Sequence, residues 1–176
     1  MKNYENYKVE VEKLSKELEG CKNRCVVLED EIADIKGKWY PKLVNLIEII
    51  NNKFSEFFQT MRCVGVVELD KGTKEEEFEN YGLSIKVKFR DEQKLQQLDS
   101  CVQSGGERAL TTAVFMLSLQ GITNVPFRCV DEINQGMDEF NERRVYELLT
   151  NSVSQLDTAQ YFLLTPKVRP TFYLEL

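Results

Sequence analysis

The sequence contains no histidine, and none of its five cysteines forms a Cys-x-x-Cys pair. The absence of histidine excludes catalysis by Ser-His and Cys-His pairs, in which an imidazole accepts the proton. It also argues against a zinc site, because Cys21 and Cys25 would need two further ligands that the sequence does not offer. Scattered cysteines in odd number are typical of a reducing compartment, where they act as small apolar side chains.

Two further absences concern membranes and nucleotides. No apolar run approaches the roughly 20 residues of a membrane-spanning helix, and the polar N-terminus is unlike a signal peptide. We therefore expect an intracellular protein with no membrane partner. The sequence also lacks the G-x-x-x-x-G-K-[ST] loop that cradles phosphates in P-loop ATPases. This chain alone is therefore not expected to bind ATP tightly or to hydrolyse it.

The composition predicts one globular unit and an extended, solvated helix: of 176 residues, 42% are apolar and 30% charged. The net charge of −6 argues against a free-standing nucleic-acid-binding domain, since such domains are usually basic. Lys86, Lys88 and Arg90 alternate along a predicted strand and could form a local basic strip. A solvated sheet face is the reading we favour.

Residues 4–39 have a regular spacing of apolar side chains. These recur in alternate steps of three and four over about five heptads, the a/d pattern of a coiled coil: Tyr4, Tyr7, Val11, Leu14, Leu18, Cys21, Cys25, Leu28, Ile32, Ile35 and Trp39. A helix in the core of a bundle is the alternative, but the polar remaining faces favour the coiled coil. Such a helix needs a partner helix, which this chain does not contain.

Pro41 is expected to kink or break this helix at Trp39-Tyr40, because the residue before a proline is pushed out of the helical conformation. A second helix is predicted over residues 42–61, with a broad apolar stripe suited to docking on a globular domain. We accordingly assign residues 1–62 to a coiled-coil arm with a docking helix, and residues 63–176 to a globular lobe.

The lobe reads as an α/β fold. Strands are predicted over residues 63–69, 83–89, 127–131 and 161–164, and helices run from the Ser-Gly-Gly run to about 120 and from 139 to about 154. Strands that alternate with helices in the last part imply a parallel sheet with right-handed crossovers.

The run from Gln103 to Arg108 (QSGGER) opens the first of these helices. Adjacent glycines allow a close backbone approach to a ligand, and the N–H groups and dipole of a helix start favour phosphate. The Ser-Gly-Gly run alone is weak evidence, because any tight turn before a helix could use it. The second element, Asp131-Glu132, ends an apolar strand, where P-loop ATPases place an acid that holds Mg²⁺.

At this spacing the two elements look like the signature motif and the Walker B motif of an ABC-type ATPase. A non-enzymatic coiled-coil module, in which Asp131 and Glu132 are only solvated, is the alternative from a different class. The sequence also resembles the structural maintenance of chromosomes (SMC) family. Four stretches carry this resemblance: 103–108, 126–138 (PFRCVDEINQGMD), 141–144 (NERR) and 160–167 (QYFLLTPK). The head of another SMC-like DNA-repair ATPase is the nearer rival, and residues 134–137 argue against it.

The resemblance implies the C-terminal lobe of an ABC-type ATPase head with a long N-terminal coiled-coil helix, and ATP and Mg²⁺ as cofactors. By position, Asp131 would organise Mg²⁺ through water, Glu132 would be the general base, and Asp138 would lie in the D-loop at a dimer interface. The signature residues would contact the γ-phosphate of ATP held by a partner head: Gln103, Ser104, Gly105, Gly106 and Glu107.

The implied partners are the N-terminal lobe of the same protein, a partner SMC subunit, a kleisin subunit and, through the assembled complex, DNA. The implied location is the nucleus, on chromosomes. Many ABC ATPases place a histidine after the last strand; Thr165-Pro166 stand there, and we assign no catalytic role to Thr165. Because the sequence ends at Leu176, we expect the kleisin-binding surface to be incomplete.

Overall fold

The computed structural model of the chain describes residues 2–99, 101–153 and 159–165; Pro166 and Lys167 of the resemblance lie outside these residues. The described part is an α/β fold with a long N-terminal helix, as predicted. Its elements, in chain order, are α1 (Lys2–Thr60), β1 (Val64–Asp70), β2 (Gly82–Lys88), β3 (Gln96–Gln97), α2 (Gly105–Gln120), β4 (Phe127–Asp131), α3 (Glu139–Val153) and β5 (Gln160–Leu164). A short 3₁₀ turn, Phe78–Asn80, precedes β2.

Helix α1 runs through Pro41 over 59 residues, so of the kink or break predicted at Trp39-Tyr40 the break is wrong, and the second helix predicted over residues 42–61 is the continuation of the same helix. Proline lacks the N–H that would bond to the carbonyl of Gly37, and its ring crowds that carbonyl. This cost falls on one turn, while the turns on both sides keep their hydrogen bonds and hold the helix. By their contacts, residues 1–45 and 46–176 form two compact units.

In the first unit the apolar stripe is exposed. Leu14, Leu18 and Ile32 each keep more than half of their surface accessible. Ion pairs between residues four apart, such as Lys38–Asp34 at 2.6 Å, lie on the helix surface. No helix in the described part of the chain is long and apolar enough to cross a membrane. The stripe therefore has the character of a helix face that another apolar surface covers.

We expect the isolated chain to self-associate through this stripe, or to fray along it, because a single helix cannot bury its own apolar face. Leu18→Glu should weaken the association, whereas Lys16→Glu, which introduces the same side chain off the stripe, should not. Sedimentation velocity and amide hydrogen exchange measure both effects. A strictly monomeric chain with a fully protected helix over residues 4–39 would count against a coiled coil.

The last turns of α1 belong to the second unit and carry its largest buried side chains. Phe54 and Phe58 are fully buried, with ring centroids 4.6 Å apart. Gly65 of β1 lies against them, since a Cβ there would come within 2.6 Å of the Phe58 ring. The helix ends in a Schellman motif, in which Cys63 N–H donates to the Phe58 carbonyl at 2.9 Å and Arg62 adopts a φ of 58°.

Two sheets pack with these turns. Strands β1, β2 and β3 form an antiparallel sheet in that order, and β4 pairs in parallel with β5. The parallel pairing is as predicted. Strand β3 was not predicted, because its two glutamines show no alternation of apolar and polar side chains. The core joins both helices to the sheets through Leu110 and Val114 of α2 and Val145 of α3.

Two features noted in the sequence, the basic strip and the scattered cysteines, can be compared with the described residues. Lys86 pairs with Glu68 at 2.5 Å, and Arg90 lies 3.5 Å from Glu107, so these two cations each have an acidic neighbour, in keeping with a solvated face. Of the cysteines, only Cys63 is buried. Burial raises the pKa of the Cys63 thiol, and the Arg144 guanidinium opposes part of that rise.

The outer face of the β4–β5 pair is apolar and uncovered within the described part of the chain. Phe127 and Phe162 stack edge to face with centroids 6.2 Å apart, and about half or more of each side chain is exposed, as it is for Leu164. Parallel sheets are normally covered on both faces. The sheet therefore has a second face that is suited to packing.

Candidate functional site

The start of α2 is held by a capping box. Ser104 Oγ accepts a hydrogen bond from Glu107 N–H at 3.2 Å, and Glu107 Oε2 accepts one from Ser104 N–H at 2.9 Å. An N-cap of this kind stabilises a helix by about 1 kcal/mol. Both side chains thus have a structural task that we did not assign from the sequence. The Ser-x-x-Glu spacing before an apolar run is the signal that predicts it.

Gln103 precedes this cap and is buried, with 8% of its surface accessible. Its Oε1 accepts from Asp99 N–H at 2.7 Å, and its Nε2 donates to the Gln97 carbonyl at 3.4 Å. The side chain therefore ties the signature segment to β3 inside the lobe. Of the five predicted signature residues, Gln103 is the one that is buried.

The two glycines differ in their surroundings. A Cβ on Gly105 would meet nothing within 4 Å, whereas one on Gly106 would come 2.9 Å from Asp138 Oδ2 and 3.3 Å from Asn141 Nδ2. The N–H groups of both glycines lie in the first turn, where no carbonyl one turn earlier is available to them. Gly105 thus leaves the helix start open to a ligand, and Gly106 permits close contact with the predicted D-loop.

Asp138 begins α3. Its Oδ1 accepts from Asn141 N–H at 2.9 Å, and its Oδ2 accepts from Asn141 Nδ2 at 2.7 Å. The carboxylate therefore caps the helix and faces Gly106 at the same time. The structure thus brings together the predicted signature and D-loop positions, which are far apart in the sequence.

Asp131 and Glu132 lie at the carboxyl end of the parallel pair, and both are exposed. Glu132 N–H donates to the Leu164 carbonyl at 2.9 Å, which continues the pairing by one residue, and Glu132 then adopts a φ of 48°. A non-glycine residue with positive φ is uncommon, and such residues cluster at functional sites. The turn directs the chain out of the strand and into the loop 131–138.

The residues present fit Mg²⁺ and a phosphate ligand. The described part of the chain has no cluster of three His, Cys, Asp or Glu residues that could cage a metal. Mg²⁺ does not require such a cluster, because it binds through one or two carboxylates and fills its other positions with water and substrate phosphate. Asp131 can supply that carboxylate, and the N–H groups at the start of α2 suit phosphate oxygens.

A buried polar network beside the loop escaped the sequence analysis. Asn134 Nδ2 donates to Glu142 Oε1 at 2.6 Å, and both residues are almost fully buried. The Thr165 hydroxyl lies 3.5 Å from Asn134 Oδ1 and 3.4 Å from the Tyr146 hydroxyl. Periodicity could not reveal this network, because it joins a loop, a helix and a strand end through space.

Comparison with known proteins adds a close sequence similarity. The structural maintenance of chromosomes protein 5 of Arabidopsis thaliana is 45% identical over 170 residues, and that of Schizosaccharomyces pombe is 41% identical over 170 residues. Each alignment covers 97% of this chain and 16% of the relative, so the chain spans a small part of the proteins it matches. No family model matches the chain.

The fold is similar to solved SMC heads. A structure from work on ATP-driven dimerisation and DNA-stimulated activation of SMC ATPases has a TM-score of 0.58 at 26% identity, covering 72% of this chain and 73% of that one. The Smc head of Pyrococcus furiosus, with an extended coiled coil and bound to the C-terminal domain of ScpA, has a TM-score of 0.59 at 28% identity, covering 78% and 33%. The chain belongs to the structural maintenance of chromosomes family.

Proposed function

We propose that the chain is the C-terminal part of the ATPase head of an SMC subunit of the protein 5 type. It supplies the signature motif, Walker B and the D-loop for ATP-dependent head engagement, DNA entrapment and DNA repair. The observation that carries the proposal is the packing of Gly106 against Asp138, with Asp131 and Glu132 at the other end of the same loop. One short loop thereby joins the elements that an ABC-type ATPase needs from this lobe.

The lobe acts on two nucleotides. Asp131 orients water around the Mg²⁺ of the ATP on its own head, and Glu132 accepts a proton from the attacking water. Ser104, Gly105 and Gly106 face the γ-phosphate of the ATP on the partner head. The capping box does not conflict with this role, because it leaves the N–H groups of Gly105 and Gly106 at the open end of the helix.

The N-terminal lobe of the same protein covers the outer face of the β4–β5 pair and contributes the missing phosphate loop. Support for this pairing comes from the exposed Phe127, Phe162 and Leu164, which form an apolar face beside Asp131. Burying apolar surface stabilises association by roughly 25 cal/mol per Å². The same contact places the phosphate loop beside the carboxylates that require it.

The other partners are inferred from the relatives. We assign a partner SMC subunit of the protein 6 type, whose head engages this one, and a kleisin subunit that binds the head; a related head binds ScpA. We assign DNA binding to the assembled complex and not to this chain alone, because the chain carries a net charge of −6. The proposed location is the nucleus, on chromosomes. The apolar stripe of α1 packs against the other helix of an antiparallel coiled coil.

Calorimetry of the chain with and without its N-terminal lobe tests this function. The chain alone is expected not to bind ATP at micromolar concentrations and not to turn it over, whereas addition of the N-terminal lobe should create a Mg²⁺-dependent ATP site. Micromolar binding by the chain alone would contradict the divided site. Failure of the two lobes together to bind ATP would favour the non-enzymatic coiled-coil module.

A further inference from the structure

We propose that Asn134 and Glu142 are a positioning pair that holds the loop 131–138 in the conformation on which Glu132 and Asp138 depend. This inference rests on the proposed function and deepens it, because neither member of the pair is assigned a contact with ATP or Mg²⁺. The pair would act on turnover only through the residues that it positions.

The geometry of the pair is that of a buried anchor. Asn134 has 2% of its surface accessible and Glu142 has 5%, and the bond between them is 2.6 Å long. A buried polar group that loses its partner destabilises the fold far more than an exposed one, because water cannot replace the bond. The middle of the loop is therefore held to the first turn of α3 by a buried hydrogen bond, and loss of this bond would destabilise the fold.

The loop needs such an anchor because its backbone is unusual. Glu132 has a φ of 48° and Gly136 a φ of 77°, so the chain changes direction twice within five residues. The side chains of Glu132 and Gln135 are exposed, whereas Asn134 and Met137 are buried. Uncommon backbone conformations persist where surrounding contacts hold them. Asn134 makes such a contact from the middle of the loop, and Asp138 makes another at its end through Asn141.

The network also gives Thr165 a structural position. Its hydroxyl lies within 3.5 Å of Asn134 and of Tyr146, at the end of β5. The preceding residue, Leu164, accepts the hydrogen bond from Glu132 N–H. The loop is thus fixed from two sides, by the end of β5 and by α3, and the two sides meet at Asn134.

Exchange of the two side chains tests the pair in the full-length protein with its partner SMC subunit. Asn134→Asp removes the donor and sets two carboxyl groups against each other. Glu142→Gln keeps an acceptor, and the double variant restores the bond with donor and acceptor exchanged. We expect Asn134→Asp to accelerate amide exchange over residues 132–138 and to lower ATP turnover by roughly tenfold to a hundredfold, as misplaced catalytic groups do. Glu142→Gln should change little, and the double variant should recover most of both losses.

Val87→Ala, a buried substitution in the antiparallel sheet, is the control for general destabilisation. It should lower the melting temperature without altering loop exchange selectively. A loop that responds to Asn134→Asp no more than to Val87→Ala, or a double variant as impaired as Asn134→Asp, would overturn the proposal. Amide exchange of the loop does not require hydrolysis, so loss of protection in Asn134→Asp and its recovery in the double variant would support the anchor even if Glu132→Gln showed the proposed catalytic role to be wrong.

Discussion

Glu132→Gln in the full-length protein is expected to lower ATP turnover by ~10²-fold or more, the scale usual for a lost general base. Glutamine keeps the shape of the side chain and some of its hydrogen bonding, but it cannot accept the proton of the attacking water. Nucleotide binding and head pairing should be retained, because Glu132 is exposed and its side chain supports no core contact in the described structure. Turnover, ATP binding and the proportion of paired heads are the three measurements.

Asp131→Asn is the companion variant, since it makes the same chemical change one residue earlier. It should weaken Mg²⁺-dependent nucleotide binding itself, because it removes the charge that organises the metal and its water. The two variants are therefore expected to differ in nucleotide binding, which Glu132→Gln should retain and Asp131→Asn should weaken. Turnover near wild type in Glu132→Gln, with binding intact, would show that Glu132 is not the base.

Ser104→Arg is expected to abolish head pairing. The substitution places a large cation where, in the proposed head dimer, the helix start meets phosphate oxygens and the opposing head, and it also removes the N-cap. Loss of the cap costs about 1 kcal/mol, which should lower the melting temperature modestly without unfolding the lobe. Crosslinking of the heads in the presence of ATP measures pairing, and a thermal melt measures stability.

Two further substitutions at this position separate the cap from the ligand contact. Thr and Asp both cap helices well, so Ser104→Thr and Ser104→Asp should leave α2 intact. Ser104→Asp alone sets a negative charge against phosphate and should prevent pairing, whereas Ser104→Thr should permit it. Normal pairing in Ser104→Asp would indicate that Ser104 serves only as a helix cap.

The elements with a strong local pattern were predictable. The apolar spacing of α2 and the apolar run of β4 place both within one residue of their observed limits. The parallel pairing of β4 with β5 follows from a strand, a helix and a strand in succession. The break predicted at Pro41 is wrong, because the local cost of a proline can be inferred from the sequence while the support of the surrounding helix cannot.

Candidate site residues could be named from the sequence where they lie in short motifs. Asp131, Glu132 and the Ser-Gly-Gly run could be named from the sequence, and their placement at a strand end and a helix start agrees with that reading. The contact of Gly106 with Asp138 and the pair of Asn134 with Glu142 could not be named. The first depends on how the start of α3 packs beside α2, and the second depends on how the loop folds back on α3. A single sequence carries no direct signal of either.

The central claim is that this lobe serves two nucleotides, one on its own head and one on its partner's. Nucleotide-dependent hydrogen exchange in the paired heads tests it most directly, with the phosphate-loop lysine substituted in one head at a time. Substitution in this protein's own N-terminal lobe should remove the protection that ATP confers on residues 131–135 and spare that of residues 104–108. Substitution in the partner head should do the reverse. Loss of protection in both segments from the same single substitution, with the other leaving both unchanged, would contradict the account.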